Sequence, residues 1–125
     1  MIRFIRCIPA LLILSCSWYL SAQPHIEEMP TFWNADKLVH IVCFGGFAFW
    51  VAFGLNIQSM KMRLKIMLPT IIVSLYGIID EIHQSYTPGR TSSATDWVAD
   101  TLGALLGSVC FIFVCSLIDR AWQKK

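Results

Sequence analysis

The sequence predicts an all-α membrane protein, a four-transmembrane-helix bundle with both termini cytoplasmic. Three observations carry this prediction. The 125 residues are 56% hydrophobic and only 14% charged, with a mean hydropathy of +0.60. A water-soluble domain of this length needs more polar surface than that. The apolar residues also form long blocks instead of one-sided stripes, the pattern of helices solvated by lipid. Finally, the charges are sorted: bases gather at one set of block ends, acids at the other. The chain is long enough for one domain, residues 1–125, and shows no repeat or low-complexity segment.

A bilayer core about 30 Å thick takes roughly 20 helical residues. The first span covers about residues 8–22, with Arg3 and Arg6 before it. This segment admits rival readings. Ser21-Ala22 before Gln23 fits a cleaved signal peptide, and Leu14-Ser15-Cys16 resembles a lipoprotein site apart from the bulky Leu14. The expectation is that the span is retained. The second span covers about residues 38–57. The third begins near Met67; its apolar run stops at Ile79, so it reaches spanning length only by including residues 80–86. The fourth covers about residues 97–118, and the capping-box pattern Ser93-Ala-Thr-Asp96 fits a helix start just before it. Backbone in lipid must satisfy its own polar groups, so these spans are helices. The connections are about 23–37, 58–66 and 87–95.

Orientation follows from Lys and Arg near the span ends. One side holds Arg3, Arg6, Lys61, Arg63, Lys65, Arg120, Lys124 and Lys125; the other holds only Lys37 and Arg90. Both termini and the 58–66 connection are therefore predicted to be cytoplasmic, with connections 23–37 and 87–95 facing out. Trp18, Tyr19, Trp33, Tyr86 and Trp97 would form an aromatic belt at that outer interface. The five cysteines, Cys7, Cys16, Cys43, Cys110 and Cys115, all fall in apolar blocks and read as small packing residues, not as a disulfide or zinc framework.

Seven of the eight acids, Glu27, Glu28, Asp36, Asp80, Glu81, Asp96 and Asp100, belong to the outer side; only Asp119 does not. A charge within a span costs at least about 2.5–3.5 kcal/mol at mid-bilayer, so these acids need partners or a watery cavity. Helical spacing groups them. Asp36, Lys37 and His40 lie within about one turn. Tyr76, Asp80, His83 and Gln84 form a stripe flanked by Glu81. Asp96, Asp100, Gly103 and Gly107 form another, whose glycines let a second helix approach closely. Pro88-Gly89-Arg90 makes a tight turn that carries Arg90 over the same spot. The inference is a shallow, acidic, outward-facing pocket, with Lys37, Arg90 and up to two histidines as counter-charges.

These residues, Asp36-Lys37-x-x-His40, Tyr76-Gly77-x-x-Asp80-Glu81-x-His83-Gln84, Pro88-Gly89-Arg90 and Asp96-x-x-x-Asp100-x-x-Gly103, resemble the VanZ-like membrane protein family over about residues 34–115. The resemblance implies a four-helix membrane protein of the bacterial cell envelope, and the expected location is the inner (cytoplasmic) membrane, as a multi-pass protein. The family's namesake is associated with resistance to the glycopeptide teicoplanin.

Three functions compete. The cluster is a structural network of buried ion pairs; or it binds a lipid-linked or peptidoglycan-related ligand through Lys37 and Arg90; or it is catalytic, with Asp80, Glu81, His83 and His40 as acid–base groups. Against catalysis, Ser92, Ser93 and Thr95 sit in no recognised nucleophile motif. A metal site of His40, His83 and acids lacks a spacing such as His-Glu-x-x-His. The sequence therefore points to no metal and no cofactor. It offers no inverted repeat for transport, and orientation already explains its bases without nucleic acid. The bilayer is the one certain partner; the oligomeric state is open.

Overall fold

The computed structural model describes residues 2–24 and 34–123, with side chains from Phe4 onward. Four helices account for nearly all of it: α1, Ile2–Ser21; α2, Ala35–Leu55; α3, Met62–Ser85; and α4, Ala94–Gln123. Each is long and apolar enough to cross a membrane. A single 3₁₀ turn, Ile57–Ser59, links α2 to α3. The helices start three to six residues before the expected spans, and α4 runs on past residue 118. The difference is physical. An apolar run marks contact with lipid, whereas the backbone stays helical through the flanking Asp36, Lys37, Arg63 and Lys65.

The packing is that of a membrane bundle, with small residues at the closest helix contacts, Phe44, Phe47 and Phe111 filling the core, and many large aliphatic side chains facing outward. Ala48, Ala52, Ala104 and Ser108 are fully buried, while Leu64, Ile71, Leu75, Leu102 and Leu106 face outward. Lipid is as apolar as leucine, so close packing and hydrogen bonds hold such helices together. α2 and α4 form the most extensive contact. A Cβ on Gly103 would run into the Ile41 carbonyl, and one on Gly107 into the Gly45 carbonyl. The two backbones therefore touch directly. α3 packs on α4 through polar links: Ser74 Oγ to Thr101 Oγ1 at 2.8 Å, Thr70 Oγ1 to Ser108 Oγ at 3.2 Å, and the Trp97 indole N–H to the Ser74 carbonyl at 3.2 Å. Trp97 thus turns into the α3–α4 contact and leaves the expected belt; Tyr19 and Tyr86 stay exposed. α1 packs chiefly on α2.

The up-down order brings the end of α1, the start of α2, the end of α3 and the start of α4 to one end of the bundle. The α3–α4 connection closes with a turn in which Arg90 N–H bonds the Thr87 carbonyl at 3.1 Å. Gly89 sits there at φ +82°, the left-handed position that follows proline in a type II turn. His25, Glu27, Glu28, Trp33, Lys124 and Lys125 lie outside the described residues, as does the side chain of Arg3.

Candidate functional site

The expected polar residues converge at this end of the bundle, about one and a half turns inside the helix ends. His40 is five residues into α2, Asp100 six into α4, and Asp80 five from the end of α3, roughly 8 Å from each helix end at 1.5 Å per residue. Burial is deep for such groups: Asp80 is 2% exposed, Glu81 5% and Asp100 0%.

Four local arrangements build the cluster. Lys37 Nζ bridges Asp36 Oδ2 and Asp96 Oδ1 at 2.8 Å each, tying the starts of α2 and α4 together. His40 Nδ1 lies 2.7 Å from Asp100 Oδ1. Gln84 donates to Asp80 Oδ2 at 3.0 Å, one turn along α3, and accepts from Arg90 Nη2 at 2.9 Å. Glu81 Oε2 accepts the Ser93 backbone N–H at 2.7 Å. Asp100 fits against α3 because position 77 is glycine; a Cβ there would lie 2.9 Å from Asp100 Oδ2.

Several expected pairings are different. The capping box is only partly realised. Ser93 Oγ accepts the Thr95 N–H at 3.2 Å, but the carboxylate that takes the Ser93 N–H is Glu81 from α3, since Asp96 is held by Lys37. Arg90 bonds an amide and makes no ion pair among the described residues. His83 is not a counter-charge to the acids. Its ring stacks on Trp18 with centroids 3.8 Å apart, and its Nδ1 meets Ser21 Oγ at 2.7 Å. Tyr76 likewise reaches α1, donating to the Leu14 carbonyl at 3.3 Å, while its ring packs edge-on against Phe47. The stripe on α3 is wide enough to face two neighbours, and its edge residues belong to α1.

The charge balance is uneven. Among the described residues, Asp36, Asp80, Glu81, Asp96 and Asp100 have Lys37, Arg90 and the His40 imidazole as the bases beside them. Three carboxylate oxygens, Asp80 Oδ1, Glu81 Oε1 and Asp100 Oδ2, are buried and accept no hydrogen bond among the described residues. Buried polar atoms are normally partnered, so each of these three calls for a cause.

Beside the cluster a cavity of about 320 Å³ opens between α1 and α2. Its wall is apolar, with Ile13, Leu20, Val39 and Val42; one end is polar, with His40, Asp80, Gln84 and Arg90. The sequence reading missed this wall. Cys16 and Ser17 on α1, and Cys43 and Gly46 on α2, line the cavity where larger side chains would fill it. Small residues at helical spacing were the available signal, and the cysteines were read as packing instead.

The family model described as VanZ/LLP1 matches residues 4–116, which brings α1 into the match along with the three helices that carry the motifs. No curated protein and no solved structure matches the chain.

Proposed function

The chain belongs to the VanZ/LLP1 family of membrane proteins, and from that premise we propose that it binds an amphipathic, lipid-linked or peptidoglycan-related ligand of the bacterial cell envelope. The observation that carries this reading is the cavity between α1 and α2, apolar along its wall and polar at one end. A hydrocarbon chain suits such a wall by close packing, since the lipid it leaves is equally apolar and dispersion contacts are what it gains. The polar end suits a phosphate or carboxylate headgroup. The Arg90 guanidinium has donors beyond the one given to Gln84, and a planar fork matches two oxygens at once. His40 and Asp80 supply partners for hydroxyls or amines.

The side of the membrane follows from charge. Basic residues crowd the opposite end of the bundle, so the cavity's polar end faces out of the cytoplasm. In a bacterial inner membrane that is the side on which envelope precursors are displayed. An altered response to glycopeptides, the property attached to the family's namesake, is the phenotype to examine. The residues 1–125 act in this reading as one domain.

A second reading is a membrane enzyme acting on such a ligand. It is favoured by the buried 2.7 Å contact between His40 Nδ1 and Asp100, which orients an imidazole that also lines the cavity. The ion-pair network remains the structural alternative, and Lys37 between Asp36 and Asp96 is its best case.

The binding reading is tested by filling the cavity without disturbing the fold. A Cβ on Gly46 would have nothing within 4 Å, and Gly46 lines the cavity. Gly46→Leu should weaken saturable binding of a polyprenyl phosphate to the detergent-solubilised protein at least tenfold. Arg90→Gln should do the same, and both should melt within a few degrees of the native chain. Undiminished binding in both variants would remove the cavity from the function.

A further inference from the structure

The cavity uses only the edge of the cluster; its deepest atoms have no role in lipid binding. A nitrogen of His40 and one carboxylate oxygen from each of Glu81 and Asp100 all lie within 4.8 Å of one another. All three residues are more than nine-tenths buried. Each acid is held by one oxygen and leaves the other free. Glu81 Oε2 accepts the Ser93 N–H and Asp100 Oδ1 contacts His40, whereas Glu81 Oε1 and Asp100 Oδ2 have no hydrogen-bond partner among the described residues. Among the described residues no fixed cation pairs with these oxygens: Lys37 bridges Asp36 and Asp96, and Arg90 bonds Gln84. Unpartnered carboxylate oxygens in a dry site are costly, and a bound cation removes that cost directly.

We infer that His40, Glu81 and Asp100 form a binding site for one divalent transition-metal ion, with Zn²⁺ as its type. The donor set selects the class. An imidazole nitrogen is a poor ligand for Mg²⁺ and Ca²⁺, which take oxygen. The absence of a thiolate in the trio disfavours Cu(I) and iron–sulfur chemistry. One nitrogen with two carboxylates suits Zn²⁺ or Mn²⁺, and three protein donors leave further positions for water. Donors at about 2.0–2.2 Å from zinc stand roughly 3.3 Å apart, so a trio already within 4.8 Å has little distance left to close. His40 also lines the cavity, which sets the ion at its polar end. The site shares His40 with the lipid reading but its test does not depend on it: metal content is measured without lipid, so either property fails on its own.

The test uses the full chain with a histidine-free tag, stripped with chelator, dialysed against Zn²⁺ and desalted. Elemental mass spectrometry should find about one equivalent of zinc, and excess Mg²⁺ should not displace it. Co²⁺ in its place should give visible absorption bands. Asp100→Asn should weaken retention at least tenfold, but it also disturbs the contact with His40. Glu81→Gln is the cleaner variant, since its amide oxygen still accepts the Ser93 N–H. Its melting should match that of the metal-free native chain while zinc affinity falls at least tenfold. No stoichiometric zinc on the native chain overturns the site. So does displacement by Mg²⁺, or a folded Glu81→Gln that holds zinc as tightly as before.

Discussion

Glu81 joins two helices through one bond. Its Oε2 takes the backbone N–H of Ser93, just ahead of α4, from a position one turn before the end of α3. A carboxylate on a helix-start amide is worth about 0.5–2 kcal/mol. Glu81→Ala should therefore lower stability by about 1–2 kcal/mol and speed amide exchange at residues 93–96. Glu81→Gln should cost under about 1 kcal/mol, because an acceptor remains. Thermal melting in detergent and hydrogen exchange measure both; equal losses in the two variants would show that charge, not capping, is what Glu81 contributes. At this scale the sequence was informative about membership and poor on partners. The spacing of Asp36, His40, Asp80, Glu81, Asp96 and Asp100 was enough to gather them at one end. It left undecided that Glu81 would cap α4, or that His83, three residues from Asp80, would turn to Trp18. Helical spacing states which face a residue occupies; the neighbour it meets depends on how the helices are arranged, and no local pattern encodes that.

At the scale of elements, the α2–α4 contact governs the position of the cluster, since these helices carry His40 and Asp100. Their separation is set by backbone against backbone at Gly103 and Gly107. A methyl at Gly107 would meet the carbonyl of Gly45, which cannot rotate away as a side chain does. Overpacking of this kind costs about 1–3 kcal/mol. Gly107→Ala should therefore lower the melting temperature clearly, while Gly46→Ala, one residue from the contact and open, should change it little. Equal effects would mean that the bundle relaxes around residue 107. The Gly103-to-Gly107 spacing announced a close approach, but not which helix would approach. The role of α1 was less legible still. Its apolar run could be read as a leader, and its wall of Cys16 and Ser17 carries no charge to draw attention.

For the whole molecule, the governing fact is that its two ends differ in charge. The end of the bundle with Lys61, Arg63, Lys65 and Arg120 holds Asp119 as its only acid among the described residues. The other end gathers five carboxyls, four of them buried and Asp36 half-exposed, with Lys37, Arg90 and His40. Alternation of four spans makes this sorting visible in the sequence, because each connection falls on a known side once one is assigned. Basic segments are held in the cytoplasm during insertion, while acids contribute little to the choice. The bundle should therefore sit with residues 60–61 inside and residues 86–93 outside. Helix α3 starts at Met62, so the place for an inserted reporter on the basic side is the short link at Met60-Lys61, not the wider 58–66 stretch. A reporter active only in the cytoplasm should work at that link and be silent when inserted near Ser92. The charge argument also predicts how to disturb the result. Replacing Lys61, Arg63 and Lys65 with Gln removes most of the bias on the α2–α3 connection and should yield a mixed population, whereas Glu27→Gln with Glu28→Gln should change nothing. Strong activity at Ser92 and none at Met60-Lys61 in the native chain would invert the bundle. The polar end of the cavity would then face the cytoplasm, and an envelope ligand displayed outside could not reach it.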